Sequence, residues 1–132
     1  MLAKKDNCCM DFIKQGTKFI LPVLIHYDLD QVRSIEFLFS QNPDRKNTSK
    51  GPENVEKFAL WDSQNETAEV FREPNENIIN IVWTREDTYK FKSKEKFFLD
   101  TRITGNDGYD IPTAICPLTM SPTLFLENEE LI

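Results

Sequence analysis

Residues 34–41 set the strongest constraint on what this chain can fold into. Ile35, Phe37 and Phe39 fall on one side of a two-residue period, and Ser34, Glu36, Leu38 and Ser40 on the other. Successive side chains of a strand point to opposite faces, so this is the pattern of a strand with one buried face. Residues 94–104 repeat it: Phe97, Leu99, Thr101 and Ile103 face one way, Phe98, Asp100 and Arg102 the other. No stretch of comparable length carries the three-to-four-residue apolar spacing of an amphipathic helix.

The remaining segments read the same way. Residues 12–14 form a short extended piece ended by Gln15-Gly16. Residues 17–26 are rich in β-formers but contain Pro22, which cannot donate to a ladder and so places the strand at an edge, bends it or breaks it. Tyr27-Asp28-Leu29-Asp30 reads as a polar connection. Residues 57–62 and 67–71 read as strands joined by a hairpin turn at Ser63-Gln64-Asn65-Glu66. Residues 78–83 are apolar on both faces, as in a central strand. Thr84 is a helix cap, with Glu86 and Asp87 at the positive end of a helix of a turn or two. Gly105-Asn106-Asp107-Gly108 is a tight turn into a return strand over 110–120, which Pro112 and Pro117 confine to an edge or to bent pieces. Strands that do not alternate with helices argue against a parallel α/β sheet. The class is all-β: an antiparallel sandwich of about seven strands with one short helical turn near 84–91, a partly open barrel being the second choice.

The 132 residues fit one domain of ordinary size. Residues 1–10 read as a flexible leading segment, 11–122 as the sandwich and 123–132 as an acidic tail. Residues 42–54 carry no apolar side chain except proline and read as an exposed loop for contacts, with Asn47 and Lys50 as candidate interface residues. A third candidate is Trp61, an interface anchor if its face of the strand meets solvent and a core residue if it does not.

The net charge of −6 counts against binding nucleic acid or an anionic membrane, both of which select a positive field. The cluster Lys90, Lys92, Lys94 and Lys96, with Phe91, Phe97 and Phe98, reads as a solvated edge. No apolar run reaches membrane-spanning length, and the expected site of synthesis is the cytoplasm. Cys8, Cys9 and Cys116 form no C-x-x-C and read as reduced thiols. Neither a cofactor nor a metal is expected. His26, the single histidine, has no nucleophile motif beside it. Asn106-Asp107-Gly108-Tyr109-Asp110 lacks the further oxygen ligands of a calcium loop and reads as a hairpin tip. An alternative function is a carbohydrate- or calcium-binding module using Trp61, Trp83 and Tyr109 beside Asp107 and Asp110; a small hydrolase using His26 is a third.

Four segments resemble motifs of one family in the expected order. Asp11-Phe12-Ile13-Lys14-Gln15-Gly16-Thr17 is similar to its entry strand, and Asp28-Leu29-Asp30-Gln31-Val32-Arg33-Ser34-Ile35-Glu36-Phe37 to its second strand. Trp83-Thr84-Arg85-Glu86-Asp87-Thr88 is similar to its strand-to-helical-turn corner. Residues 98–104 followed by Asp107-Gly108 resemble its hairpin. The family is that of small immunoglobulin-like β-sandwich proteins from tailed-phage and prophage structural clusters, akin to the N-terminal domains of baseplate upper proteins. Thr17-Lys18 stands where an acidic residue is common. The resemblance implies an immunoglobulin-like sandwich without catalytic residues, a phage structural protein that assembles with itself or with tail and baseplate proteins and ends in the virion.

Overall fold

The computed structural model, which describes residues 12–41, 55–91 and 95–121, turns the alternating segments into two facing sheets. The leading segment 1–10, the loop 42–54 and the tail 123–132 lie outside the described residues. In chain order the strands are β1 (Phe12–Lys14), β2 (Phe19–Leu24), β3 (Val32–Ser40), β4 (Glu56–Asp62), β5 (Val70–Arg72), β6 (Ile78–Trp83), β7 (Lys96–Gly105), β8 (Asp110–Ile111) and β9 (Cys116–Ser121), with helix α1 (Arg85–Lys90) between β6 and β7. One sheet has the order β1-β9-β7-β3-β4 with β8 on β7, and the other the order β2-β6-β5. Every pairing is antiparallel except β1 with β9. A larger sheet built on the third, fourth, seventh and last strands, facing a smaller one built on the second, fifth and sixth, is the strand order of a variable-type immunoglobulin domain. The fold is an immunoglobulin-like antiparallel β-sandwich.

The apolar faces assigned from alternation meet between the layers. Ile35, Phe37 and Phe39 of β3 are fully buried, as are Leu21 of β2 and Ile79, Ile81 and Trp83 of β6. Trp83 is the hub: Phe39 packs edge-on at 4.9 Å between ring centroids, Phe91 lies at 5.5 Å and Phe97 at 6.2 Å. Such offset and edge-to-face pairs add about 0.5–1.5 kcal/mol each beyond area burial. The Trp83 indole N–H is buried without a hydrogen-bond partner among the described residues. Lys57 Nζ stands 5.4 Å above the same ring and 2.9 Å from Asp87 Oδ2. The lysine therefore caps the aromatic cluster and ties β4 to the start of α1.

Local signals place the ends of elements where the sequence puts them. Thr84 and Asp87 form a reciprocal capping box: the Asp87 N–H donates to Thr84 Oγ1 at 3.1 Å, and the Thr84 N–H to Asp87 Oδ2 at 2.9 Å. Pro22 sits, exposed, on β2 at the edge of the smaller sheet. The turn after β7 closes with the Gly108 N–H donating to the Gly105 carbonyl at 2.9 Å, and Gly108 holds a φ of 88° that a side chain would strain.

Four details differ from the sequence reading. The return strand over 110–120 is split into β8 and β9, which with the short β1 raises the strand count above seven. Residues 63–66 do turn, with the Asn65 N–H on the Asp62 carbonyl, but β4 and β5 belong to different sheets, so the connection crosses the sandwich instead of closing a hairpin. The strand expected over 67–71 begins only at Val70, because Glu66 and Thr67 are used as local acceptors: Glu66 Oε2 takes the Arg72 N–H at 2.7 Å and Thr67 Oγ1 the Val70 N–H at 3.2 Å. Leu29, placed in a polar connection, is 1% exposed and belongs to the core. It sits in a 3₁₀ turn capped by Asp28, where its N–H donates to Asn77 Oδ1 at 3.0 Å.

Candidate functional site

Surface that is costly to leave in water is the place to look for a function based on contact. Among the described residues strand β4 pairs only with β3, opposing Ile35 to Trp61, Phe37 to Ala59 and Leu38 to Phe58. Opposed residues share a face. Because Ile35 and Phe37 point into the core, Ala59 and Trp61 do too, and Phe58 and Leu60 are turned outward. They are 59% and 47% exposed. Half-buried Leu38 lies beside Phe58, and Glu36, opposite Leu60, is paired with Arg102 of β7 at 3.1 Å. The outer face of the larger sheet thus carries an apolar patch along its β4 edge, bordered by an ion pair.

This corrects the role offered for Trp61. It is 3% exposed, and its indole N–H donates to Glu66 Oε2 at 2.8 Å. Glu66 also holds the Arg72 N–H, so Trp61 fastens the crossover from β4 to β5 and presents nothing to a partner in this fold. Alternation separates Phe58 and Leu60 from Trp61 correctly; which set meets water follows only from the register with β3. Asn47 and Lys50 lie outside the described residues.

The chemical candidates are dispersed. His26 is exposed at the rim of an apolar groove of about 380 Å³ between β2 and the chain around β8 and β9, walled by Val23, Leu99, Ile103 and Cys116. Among the described residues no hydrogen bond or ion pair engages His26, and no carboxylate lines that groove. The hydrolase reading therefore lacks a group to orient the imidazole. No group of three or more His, Cys, Asp and Glu side chains converges on a possible metal position among the described residues. Trp83 is fully buried and cannot serve as a sugar platform, whereas Tyr109, at the tip of the β7–β8 hairpin, is 75% exposed. Asp107 uses Oδ1 to accept the Tyr109 N–H at 3.0 Å, the work of a turn residue. In the lysine cluster, Phe91 and Phe97 belong to the core, and Lys90 Nζ donates to the Glu56 carbonyl at 3.4 Å. Lys92 and Lys94 lie outside the described residues.

One acid is electrostatically set apart. Burial raises the pKa of Asp87. The Thr84 backbone N–H, the hydrogen bond and charge of Lys57 and the Thr84 hydroxyl together outweigh it, and the carboxyl sits below its ordinary value. Those partners are all structural, so the shift marks a joint and not a reacting group.

No family model matches the chain, and no curated protein matches it. Among solved structures it is similar to the extracellular domain of the voltage-gated sodium channel beta4 subunit, described as a parallel homodimer with a role in cell–cell adhesion. The two are 12% identical, with 86% of this chain and 90% of that one covered, at a TM-score of 0.38. A likeness of that size says nothing of role, and the immunoglobulin-like assignment rests on the strand order. No helix among the described residues is long and apolar enough to cross a membrane.

Proposed function

We propose that this chain is a non-enzymatic structural module that works through protein–protein contact, and that its first partner is a second copy of itself, packed on the outer face of the larger sheet at β3 and β4. The observation that carries this reading is the exposure of Phe58 and Leu60 side by side on the edge strand, with Leu38 next to them. Fully burying a side chain of this size is worth about 1.5–3 kcal/mol, and a two-fold contact buries each residue twice. The Glu36–Arg102 pair at the border supplies both signs of charge, which a self-complementary face needs. The motif resemblance extends the reading to a tailed phage or prophage, where such a module would join tail or baseplate proteins in the virion.

Light scattering on the eluting protein over a range of concentrations tests the contact. The wild type should shift from monomer toward dimer as concentration rises to about 100 µM, where a contact worth about 5.5 kcal/mol is half formed. The double variant Phe58→Thr, Leu60→Thr should remain a monomer with a melting temperature within about 4 °C of wild type, since both side chains are largely exposed and threonine suits a strand without setting a like charge opposite Glu36. A wild type that stays monomeric throughout, or a variant that dimerises equally well, overturns the proposed surface. A gene neighbourhood of metabolic enzymes, together with turnover of a substrate by the purified protein, would overturn the structural role.

A further inference from the structure

We propose that the depression between Tyr27 and Tyr109 is a binding site for a neutral saccharide, separate from the assembly face. The depression measures about 520 Å³ and lies where the residues after β2 meet the β7–β8 hairpin tip. Tyr27 is 41% exposed and Tyr109 75%. Gln31, Asn106, Asp107 and Asp110 line the depression as well.

The two loops are fixed to each other. The Asn106 N–H donates to the Gln31 carbonyl at 2.9 Å, and Asn106 Nδ2 to the Asp30 carbonyl at 3.1 Å. The Gly105 N–H donates to the Tyr109 carbonyl at 2.9 Å, and the Tyr109 N–H to Asp107 Oδ1 at 3.0 Å. At Gly105 a Cβ would stand 3.0 Å from Asp107 Oδ1, so the glycine leaves room for the aspartate that holds the turn. The result is a large aromatic ring held out in water on a backbone with every turn bond made. Such rigidity lowers the ordering cost of binding.

The chemistry of the lining selects the ligand class. Two amphipathic rings match the C–H faces of a pyranose, and planar amides and carboxylates match its hydroxyl groups. Asp107 has committed Oδ1 to the turn, and Asp110 Oδ1 receives the Thr104 hydroxyl at 3.4 Å; among the described residues no hydrogen bond engages the second oxygen of either. Among the described residues no cationic side chain lines the depression, which disfavours phosphates, nucleic acids and acidic sugars. The polar lining disfavours a lipid tail. A cationic peptide is the competitor, because the same carboxylates and rings attract it. The saccharide is favoured because two exposed tyrosine rings and the polar residues around them suit stacking and hydroxyl contacts together, whereas the two acids alone would suit a cation.

The test is an NMR titration of ¹⁵N-labelled full chain. One arm uses a panel of neutral hexoses, N-acetylhexosamines and their short oligomers; the other uses an arginine–lysine tetrapeptide. At least one sugar should shift amide resonances confined to residues 27–31 and 105–111, saturating in the millimolar range typical of a shallow site. Tyr109→Ala should weaken that sugar about tenfold or more while leaving the melting temperature within about 2 °C, since the ring lies on the surface. Tyr109→Phe should retain most of the affinity, because stacking and not the phenol hydroxyl is the main contact. Absence of shifts with every sugar in the panel overturns the proposal. So do shifts produced by the tetrapeptide alone, or sugar binding untouched by Tyr109→Ala. None of these outcomes depends on whether Phe58 and Leu60 mediate a dimer.

Discussion

Thr88 offers the sharpest test of how this sandwich is closed. The residue is fully buried on α1, and its hydroxyl oxygen accepts the Gly16 N–H at 2.8 Å and the Thr17 N–H at 3.2 Å. The hydroxyl in turn can donate to the Arg85 carbonyl at 3.0 Å. Gln15 adds a bond from Nε2 to the Phe91 carbonyl at 3.0 Å. One side chain thus joins the turn between β1 and β2, which belong to different sheets, to the helix leading toward β7. Thr88→Val keeps the shape and removes the acceptor. A buried donor left without a partner costs about 1–3 kcal/mol. Gly16 and Thr17 are only half-buried, so water can reach them in part, and about 1 kcal/mol each is the appropriate end of that range. Exchanging a hydroxyl for a methyl in the core returns less than about 1 kcal/mol. The net loss is then about 1–2 kcal/mol, or about 4–8 °C in melting temperature for a chain of this length. Thr88→Ser keeps the acceptor and deletes a methyl, costing about 1 kcal/mol or less. Urea unfolding of the three proteins should give equal m-values and the stability order wild type, Ser, Val. A valine variant within about 0.5 kcal/mol of wild type, or one more stable than the serine variant, would refute the reasoning.

The Asp87–Lys57 joint makes a pH prediction. The folded carboxyl titrates below its ordinary value near 3.8, so its stabilising contribution is complete above that pH and disappears as the pH falls through the lower folded value. Asp87→Asn should flatten the acid limb of a stability–pH curve in that window while lowering stability at pH 7; an unchanged acid limb would remove Asp87 from the account. Leu29→Ala should cost about 2–5 kcal/mol by opening a cavity beneath the 3₁₀ turn, whereas Leu60→Ala should cost under about 0.5 kcal/mol in the monomer, as read by chemical denaturation at low protein concentration.

What could be read from the chain in advance follows the range of the interaction that decides each feature. The faces of β3 and β7, the cap at Thr84 and the turn at 105–108 depend on residues within a few positions of one another, and there sequence and structure agree. Leu29 was misplaced because its neighbours are Tyr and Asp, while the partner that fixes its backbone, Asn77, is 48 residues away. The crossing at 63–66 has the composition of a hairpin, yet the Trp61–Glu66–Arg72 bonds and the Val82 N–H on the Glu69 carbonyl carry the chain to the other sheet. The candidate surface was half legible. Period two tells Phe58 and Leu60 apart from Trp61, but a strand's pattern has no sign until a neighbour is known, so the sequence leaves Trp61 open between core and surface.

The residues behind the family resemblance then acquire a specific meaning. Gln15, Gly16 and Thr17 come from one motif and Thr84, Asp87 and Thr88 from another, and in space they form a single clasp. Gly16 belongs there because it adopts a φ of 76° and brings its N–H onto the threonine. These motifs therefore record how an immunoglobulin-like sandwich of this kind is closed, and proteins with quite different partners could share them. A role has to be written in side chains that closure does not need. The proposed contacts use Phe58, Leu60 and Tyr109, whose side chains are largely exposed. It follows that Thr88→Val should weaken dimerisation and sugar binding only to the extent that it unfolds the chain. The surface variants, by contrast, should each weaken one contact in a protein that melts within a few degrees of the wild type. A surface variant that lost its contact only by losing its fold would mean that closure and recognition share residues, and the division drawn between them would fail.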